Sequence, residues 1–529
     1  MPDQGIAVSF DEKRIDALFA PLDQCHLPGA AVGIAIGGRV VYRKGFGLIN
    51  MEQSAVLSPG TRMRIFSVSK HFTSLAYMLL CEEGRAGIDE EIGRYLPELP
   101  SAARHVTARQ LMGNISGLHD VFDVAWLICG TGWSLASEEL LALYNQFDGV
   151  NAAPSSAWIY NNGGFLALSI AIERIAGRSL EEVFRVRIFE RIGMNDTMLR
   201  RFDTDFVPNS ATLHMTHPAG GYLKSSIGGA IAGEGGIVST VDDMLRWLAH
   251  MDAPVVGNAA TWAAMTAPQR LTNGVSTGYG MGLIVDRYRG VEALYHSGGA
   301  LGGSSQMIKI GAASLDVIVM VNREDVLAPS LADGILAECL PALTEFTPRS
   351  FSLAGGTFNS PTTGRTVQLL EKAGQQIASM DGTDIPMAHD SDGVLWPSGH
   401  HQYKKLGIAL IGNPVSPSSI QVSDFGNIDE LFLEPPPQIR ELGPAEGRYA
   451  LAALQSEATI WATGDGTRLV IRGSFGSATY RLECIGDRLW RAQSTTVSWL
   501  GGVLKFDAAA DTFRLASHRT TALTFRRMN

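Results

Sequence analysis

Apolar and polar positions change rhythm along this chain in a way that separates two kinds of structure. Ala31-Val32-Gly33-Ile34-Ala35-Ile36 and Arg39-Val40-Val41-Tyr42 are strand-like runs on either side of Gly37-Gly38. Glycine accepts positive φ, so the pair signals a hairpin and an antiparallel sheet edge. After Ser67, the residues Leu75, Ala76, Met78, Leu79 and Leu80 are apolar around most of a helical turn. They predict a helix buried on most faces that stops near Gly84. Phe165 to Ile175, Leu180 to Phe189 and Val241 to His250 predict further helices, the last two with acidic residues near their starts. To about residue 345 the chain reads as an α/β body.

Beyond Leu340 to Pro348 little keeps a 3.6-residue period. Ile460–Ala462, Leu469–Arg472, Tyr480–Cys484, Arg488–Arg491, Val503–Phe506 and Phe513–Ala516 are short runs separated by turn residues such as Gly464-Asp465-Gly466 and Gly486-Asp487. Such spacing predicts a small antiparallel barrel or sandwich. Pro435-Pro436-Pro437 and Gly443-Pro444 read as a stiff linker between two such modules. The expected organisation is a catalytic domain over 1–345 and two β-barrel-like domains over 346–440 and 441–529.

Composition narrows the function classes. A chain of 529 residues is long enough for several domains, and 45% hydrophobic against 18% charged residues excludes a disordered chain. A formal charge of −10 argues against nucleic acid, which needs a basic face to release counterions. The start, Met1-Pro2-Asp3-Gln4, lacks the basic and apolar run of a secretory signal, and no stretch is apolar enough to span a bilayer. Cys25, Cys81, Cys129, Cys339 and Cys484 are odd in number and unpaired in spacing, as in reduced cytoplasmic proteins. No metal or nucleotide motif occurs, so no cofactor is expected.

Three short motifs carry the candidate chemistry. In Ser67-Val68-Ser69-Lys70, a spacing of three puts both side chains on one helical face, so the amine can reach the hydroxyl. An alcohol needs a base to attack at neutral pH, and lysine serves only if burial or nearby cations lower its pKa. The competing reading is a capping serine with a solvent-facing lysine. In Tyr160-Asn161-Asn162, the phenol could relay a proton to a leaving group or keep Lys70 neutral, and Asn162 could hold a carbonyl or the amine. The alternative is a turn tyrosine packed on Gly163-Gly164. In His296-Ser297-Gly298-Gly299, glycine would let a substrate lie against a strand, and the N–H groups of Gly299 and Ser67 could form an oxyanion hole. Otherwise it is a glycine-rich turn with a surface histidine. Gly274-Val275-Ser276-Thr277-Gly278 spells a nucleophile elbow, but it lacks the strand before and the helix after that an elbow requires.

The order Ser-x-x-Lys, Tyr-x-Asn, His-x-Gly resembles the serine β-lactamase and penicillin-binding fold over roughly residues 20 to 340. Gly45-Phe46-Gly47, Leu111 to Leu118 and Gly235-Gly236-Ile237-Val238-Ser239-Thr240 extend the likeness. Penicillin-binding enzymes have lysine where this chain has His296, so a carboxylate beside the scissile bond is disfavoured. With that replacement and the two added β modules, the whole chain resembles the D-aminopeptidase family. The resemblance implies Ser67 as nucleophile, Lys70 as general base, Tyr160 as proton relay, His296 as electrostatic support and Asn162 in the site. It also implies a loop of the last β module reaching the cleft. That loop matches Gly473 to Thr479, with Gly473, Phe475 and Gly476 lining the substrate, but it lacks the acidic residue the family uses to meet an amine.

The expectation is a cytoplasmic acyl-enzyme hydrolase that releases N-terminal D-residues from small peptides or amides. An esterase, a β-lactamase-like hydrolase, a D,D-peptidase and a non-catalytic sensor on the same fold are the alternatives. A homodimer is allowed.

Overall fold

The computed structural model describes residues 6–131, 133–147, 149–217, 219–288, 290–343, 355–380, 383–390, 393–398, 405–413, 415–436, 445–464, 466–497, 499–521 and 523–528. Six strands form one antiparallel sheet: β1 (Ala30–Ile36), β2 (Arg39–Phe46), β3 (Ile284–Tyr288), β4 (Val291–Ala300), β5 (Gly303–Ile310) and β6 (Leu315–Val321). Their spatial order is β3-β4-β5-β6-β1-β2, which brings the first strands beside the last. Val32 of β1 lies opposite Lys44 on one side and Val319 on the other. The β1–β2 hairpin turns at Gly37 (φ 57°) and Gly38 (φ 73°), and β2 is the sheet edge, as the glycine pair predicts.

The helices that position the site are α1 (Glu12–Phe19), α2 (Lys70–Glu82), α3 (Val121–Cys129), α4 (Asn162–Ala176), α5 (Val241–His250) and α6 (Ala328–Cys339). Successive strand residues point to opposite faces, and both faces are covered. Ala30, Val32, Ile34, Val317 and Val319 pack with Ile15 and Phe19 of α1 and Ile335 and Leu336 of α6. Ala31, Ala35, Ile318 and Met320 face the larger cluster built by α2, α4 and α5. Gly33 is required there, because a Cβ would lie 2.5 Å from Val241 Cγ1 where α5 crosses the sheet. The helix expected over Leu180–Phe189 breaks into Leu180–Phe184, one wider turn over Arg185–Phe189 and a last turn Glu190–Ile192 closed by Gly193.

The tail consists of two closed eight-stranded antiparallel barrels. The first runs from Gly356–Asn359 to Asn427–Leu433 and closes by pairing Phe358 with Leu433. The second runs from Gly447–Leu451 to Leu523–Arg527 and closes by pairing Tyr449 with Arg527. All six tail segments read from the sequence lie within or overlap strands of this second barrel. The boundaries expected near 345 and 440 fall outside the described residues. No helix among the described residues is long and apolar enough to cross a membrane, and the five cysteines are free thiols.

Candidate active site

Ser67 stands on a tight turn, Phe66–Ser69, that leads directly into α2. Phe66 has φ 50°, a left-handed conformation that costs a bulky residue about 1–3 kcal/mol and persists only where packing enforces it. Phe66 is held by Leu213, Ile227 and Ile231. Strand β4 supports the turn from the other side. A Cβ on Gly298 would lie 2.4 Å from the Ile65 carbonyl, and the Ser305 hydroxyl donates to that carbonyl at 2.7 Å. Gly298 thus lets the turn that carries Ser67 touch the sheet. Gly299 is exposed, with nothing nearer than 3.7 Å to a Cβ there, which leaves room along the strand.

Lys70 is fully buried, and its Nζ lies 3.3 Å from Ser67 Oγ, 2.7 Å from Asn162 Oδ1 and 2.7 Å from the Glu234 carbonyl oxygen. The last two atoms can only accept, so they take two N–H groups. In a neutral amine the remaining position is the lone pair, which faces the Ser67 hydroxyl. Burial pulls the amine down to about 7, aided by the Arg519 charge and opposed by Glu234 and Asp120. Glu234 is itself buried and pushed up to about 7; its Oε1 accepts the Ala232 N–H at 2.7 Å, while Oε2 has no hydrogen-bond partner among the described residues. The solvent-facing alternative for Lys70 is excluded.

Tyr160 lies in the short segment between the turn at Ser155 and α4. Asn114, itself at φ 57°, grips this segment twice, its carbonyl accepting the Ile159 N–H at 2.9 Å and its Oδ1 the Asn161 N–H at 3.1 Å. Asn161 then caps α4 through the Gly164 N–H at 2.8 Å, which fixes Asn162 at the first helical position. The Tyr160 hydroxyl lies beside Ser67, and its ring centroid is 4.7 Å from Lys70 Nζ. Burial holds the phenol well above its ordinary pKa, so it is protonated at neutral pH and able to donate.

His296 is buried on β4, and burial together with Lys70 pulls it down to about 3. Its Nδ1–H donates to the Ser297 carbonyl at 2.6 Å, so Nε2 accepts from the Tyr279 hydroxyl at 3.0 Å. The imidazole is neutral and both nitrogens are engaged. A neutral imidazole brings no fixed cation to β4, and its Nε2 contact ties the strand to Tyr279.

The hairpin Gly473-Ser474-Phe475-Gly476 lies against the end of α3. A Cβ on Gly473 would meet Ile128 Cγ2 at 2.5 Å, and one on Gly476 the Cys129 carbonyl at 2.6 Å, so both glycines let this hairpin pack on the end of α3. Phe475 is 40% exposed. A different loop of the same barrel, 517–521, reaches the site and puts the Arg519 guanidinium 4.9 Å from the Tyr160 ring centroid. The first barrel also contributes. Its Phe425 stacks on Trp158 at 3.9 Å, and Asn427 exchanges two 2.8 Å hydrogen bonds with the Trp158 backbone. In the Gly274–Gly278 decoy, Ser276 bridges Arg270 within a loop, as its flanks predict.

Glu234, Asn114, Tyr279 and Arg519 escape the sequence reading. Only Glu234 carries a local signal, an acidic residue set among glycines at Gly233-Glu234-Gly235-Gly236.

The family model described as Beta-lactamase matches residues 15–339, more than half of the chain. The chain belongs to the Beta-lactamase family. Within it, the chain is 26% identical to a D-aminopeptidase of Cereibacter sphaeroides over 472 residues, covering 88% of this chain and 87% of that one. It is 29% identical to a D-aminopeptidase of Brucella anthropi over 327 residues, 60% of each chain. Among solved structures, the octameric penicillin-binding protein homologue from Pyrococcus abyssi superposes with a TM-score of 0.57 at 21% identity, covering 80% of this chain and all of that one.

Proposed function

We propose that this member of the Beta-lactamase family is a serine hydrolase that forms an acyl-enzyme on Ser67 and releases N-terminal D-amino acids from peptides and amides. The observation that carries the reading is the Lys70 amine, buried, with two acceptors occupying its hydrogens and its third position facing Ser67 Oγ. Ser67 gives its proton to Lys70 as Oγ bonds to the substrate carbonyl carbon. The resulting oxyanion is held by the N–H groups of Ser67 and Gly299. The C–N bond then breaks while Tyr160, protonated and in contact with Ser67, donates to the leaving nitrogen. Water enters by the reverse route and frees the acid.

The D-residue preference is supported by the relatives named D-aminopeptidase, one of which aligns over both the catalytic body and the barrels. A cytoplasmic setting is supported by five free thiols. Hydrolysis of D-alanine amide, a short ester and a cephalosporin, measured side by side, tests the reading. The amide is expected to turn over fastest and Ser67→Ala to abolish it; turnover of the cephalosporin alone, or normal turnover by Ser67→Ala, overturns it.

A further inference from the structure

The loop that joins the last two strands of the second barrel is fastened to the catalytic body by atoms other than its arginine side chain. Ser517 Oγ and Thr520 Oγ1 both donate to Asp123 Oδ2, at 2.7 and 2.6 Å. The Thr521 N–H donates to Asn151 Oδ1 at 2.8 Å, and Asn151 Nδ2 donates to the Arg519 carbonyl at 2.6 Å. The guanidinium is therefore free for another task.

Its own contacts are loose. Nη1 lies 3.5 Å from Asp120 Oδ2, longer than the roughly 2.7–2.9 Å of a well-formed charged pair, and Nε donates to His518 Nε2 at 3.0 Å. Nη2 has no protein partner among the described residues, and the side chain is 22% exposed. An arginine fork left partly open beside a nucleophile suits a planar anion.

Its position says which part of a substrate it meets. Tyr160 donates to the leaving nitrogen in the reaction above, so a guanidinium stacked on the Tyr160 ring stands on the leaving-group side. When the leaving group is an amino acid, its carboxylate is attached to the carbon next to that nitrogen. His296, being neutral, cannot hold such a group from β4.

We infer that Arg519 is a specificity-determining residue that binds the free carboxylate of the departing amino acid, which makes dipeptides with an ionised C-terminus better substrates than the corresponding C-terminal amides. The inference rests on the proposed acyl-enzyme reading and names the substrate class for it. Loop 517–521 thus supplies from the far end of the chain a cation that the His-x-Gly strand lacks.

The test compares D-alanylglycine with D-alanylglycinamide. The full-length protein is expected to favour the free acid by about tenfold or more in kcat/KM, chiefly through KM, as fits a charged hydrogen bond. Arg519→Gln should bring the ratio near one, and Arg519→Lys should restore part of it. Calorimetric binding of both dipeptides to Ser67→Ala protein gives the same comparison without turnover. Equal affinities there, or an acid-to-amide ratio that Arg519→Gln leaves in place, would overturn the inference alone. Failure to hydrolyse either dipeptide, with Ser67 still labelled by a fluorophosphonate, would overturn the D-aminopeptidase reading and this inference with it.

Discussion

The two halves of the site are held in different ways. Ser67 and Lys70 sit on one continuous turn and helix, and the contacts that fix them come from the sheet and helices of the same body: Gly298 and Ser305 under the turn, Asn162 and Glu234 around the amine. The Tyr160 segment is gripped from inside by Asn114 and from outside by both barrels, one stacking Phe425 on Trp158, the other clamping Asp123 and Asn151 and laying Arg519 over the phenol. The Ser67–Lys70 half is thus intrinsic to the catalytic body. The Tyr160 half is where the appended barrels make their contacts.

That contrast can be broken at several points. Lys70→Ala strikes the intrinsic half and should lower kcat by about 10²–10⁴-fold, read in steady-state turnover of an amide. Asp123→Ala removes the carboxylate that receives two hydroxyls of loop 517–521, and hydrogen bonds to charged groups are worth about 1.5–3 kcal/mol each. Peptide kcat/KM should fall by roughly tenfold, while fluorophosphonate still labels Ser67; loss of that labelling would show that the halves are not separable. Asn427→Ala removes two neutral hydrogen bonds to Trp158 and should cost about 1–2 kcal/mol in thermal or urea unfolding, with a severalfold fall in kcat. The smallest effect is on pH. The neutral amine is the reactive form, so acylation rises as pH rises through about 7, the value to which burial pulls Lys70. The Glu234 carboxylate holds that value up, so Glu234→Gln should move the rising limb of the kcat/KM profile to lower pH.

The same contrast explains what could be read from the chain. Ser67 and Lys70 are legible because a three-residue spacing on a helix is a local fact, and Tyr160-Asn161-Asn162 because a phenol and an amide two positions apart are a local pattern, whereas the Asn161 cap that starts α4 is seen only in the structure. The strands of the second barrel are legible from their turns, but the strands that close it, Gly447–Leu451 and Leu523–Arg527, are not, since closure is a pairing across the whole domain. His296 is visible as a residue, yet its charge depends on burial and on Tyr279, which no motif announces. Which of several barrel loops meets the Tyr160 segment is likewise set by docking, and Asp123 and Asn151 hold loop 517–521 there.

Catalysis as proposed depends on an uncharged, buried Lys70 accepting the Ser67 proton. The rate of Ser67 labelling by a fluorophosphonate, followed from pH 5 to 9 by intact-protein mass spectrometry, tests it most directly. The rate is expected to climb through a midpoint near 7 and to collapse in Lys70→Ala protein. A rate independent of pH over that range, or undiminished by loss of the amine, would contradict it.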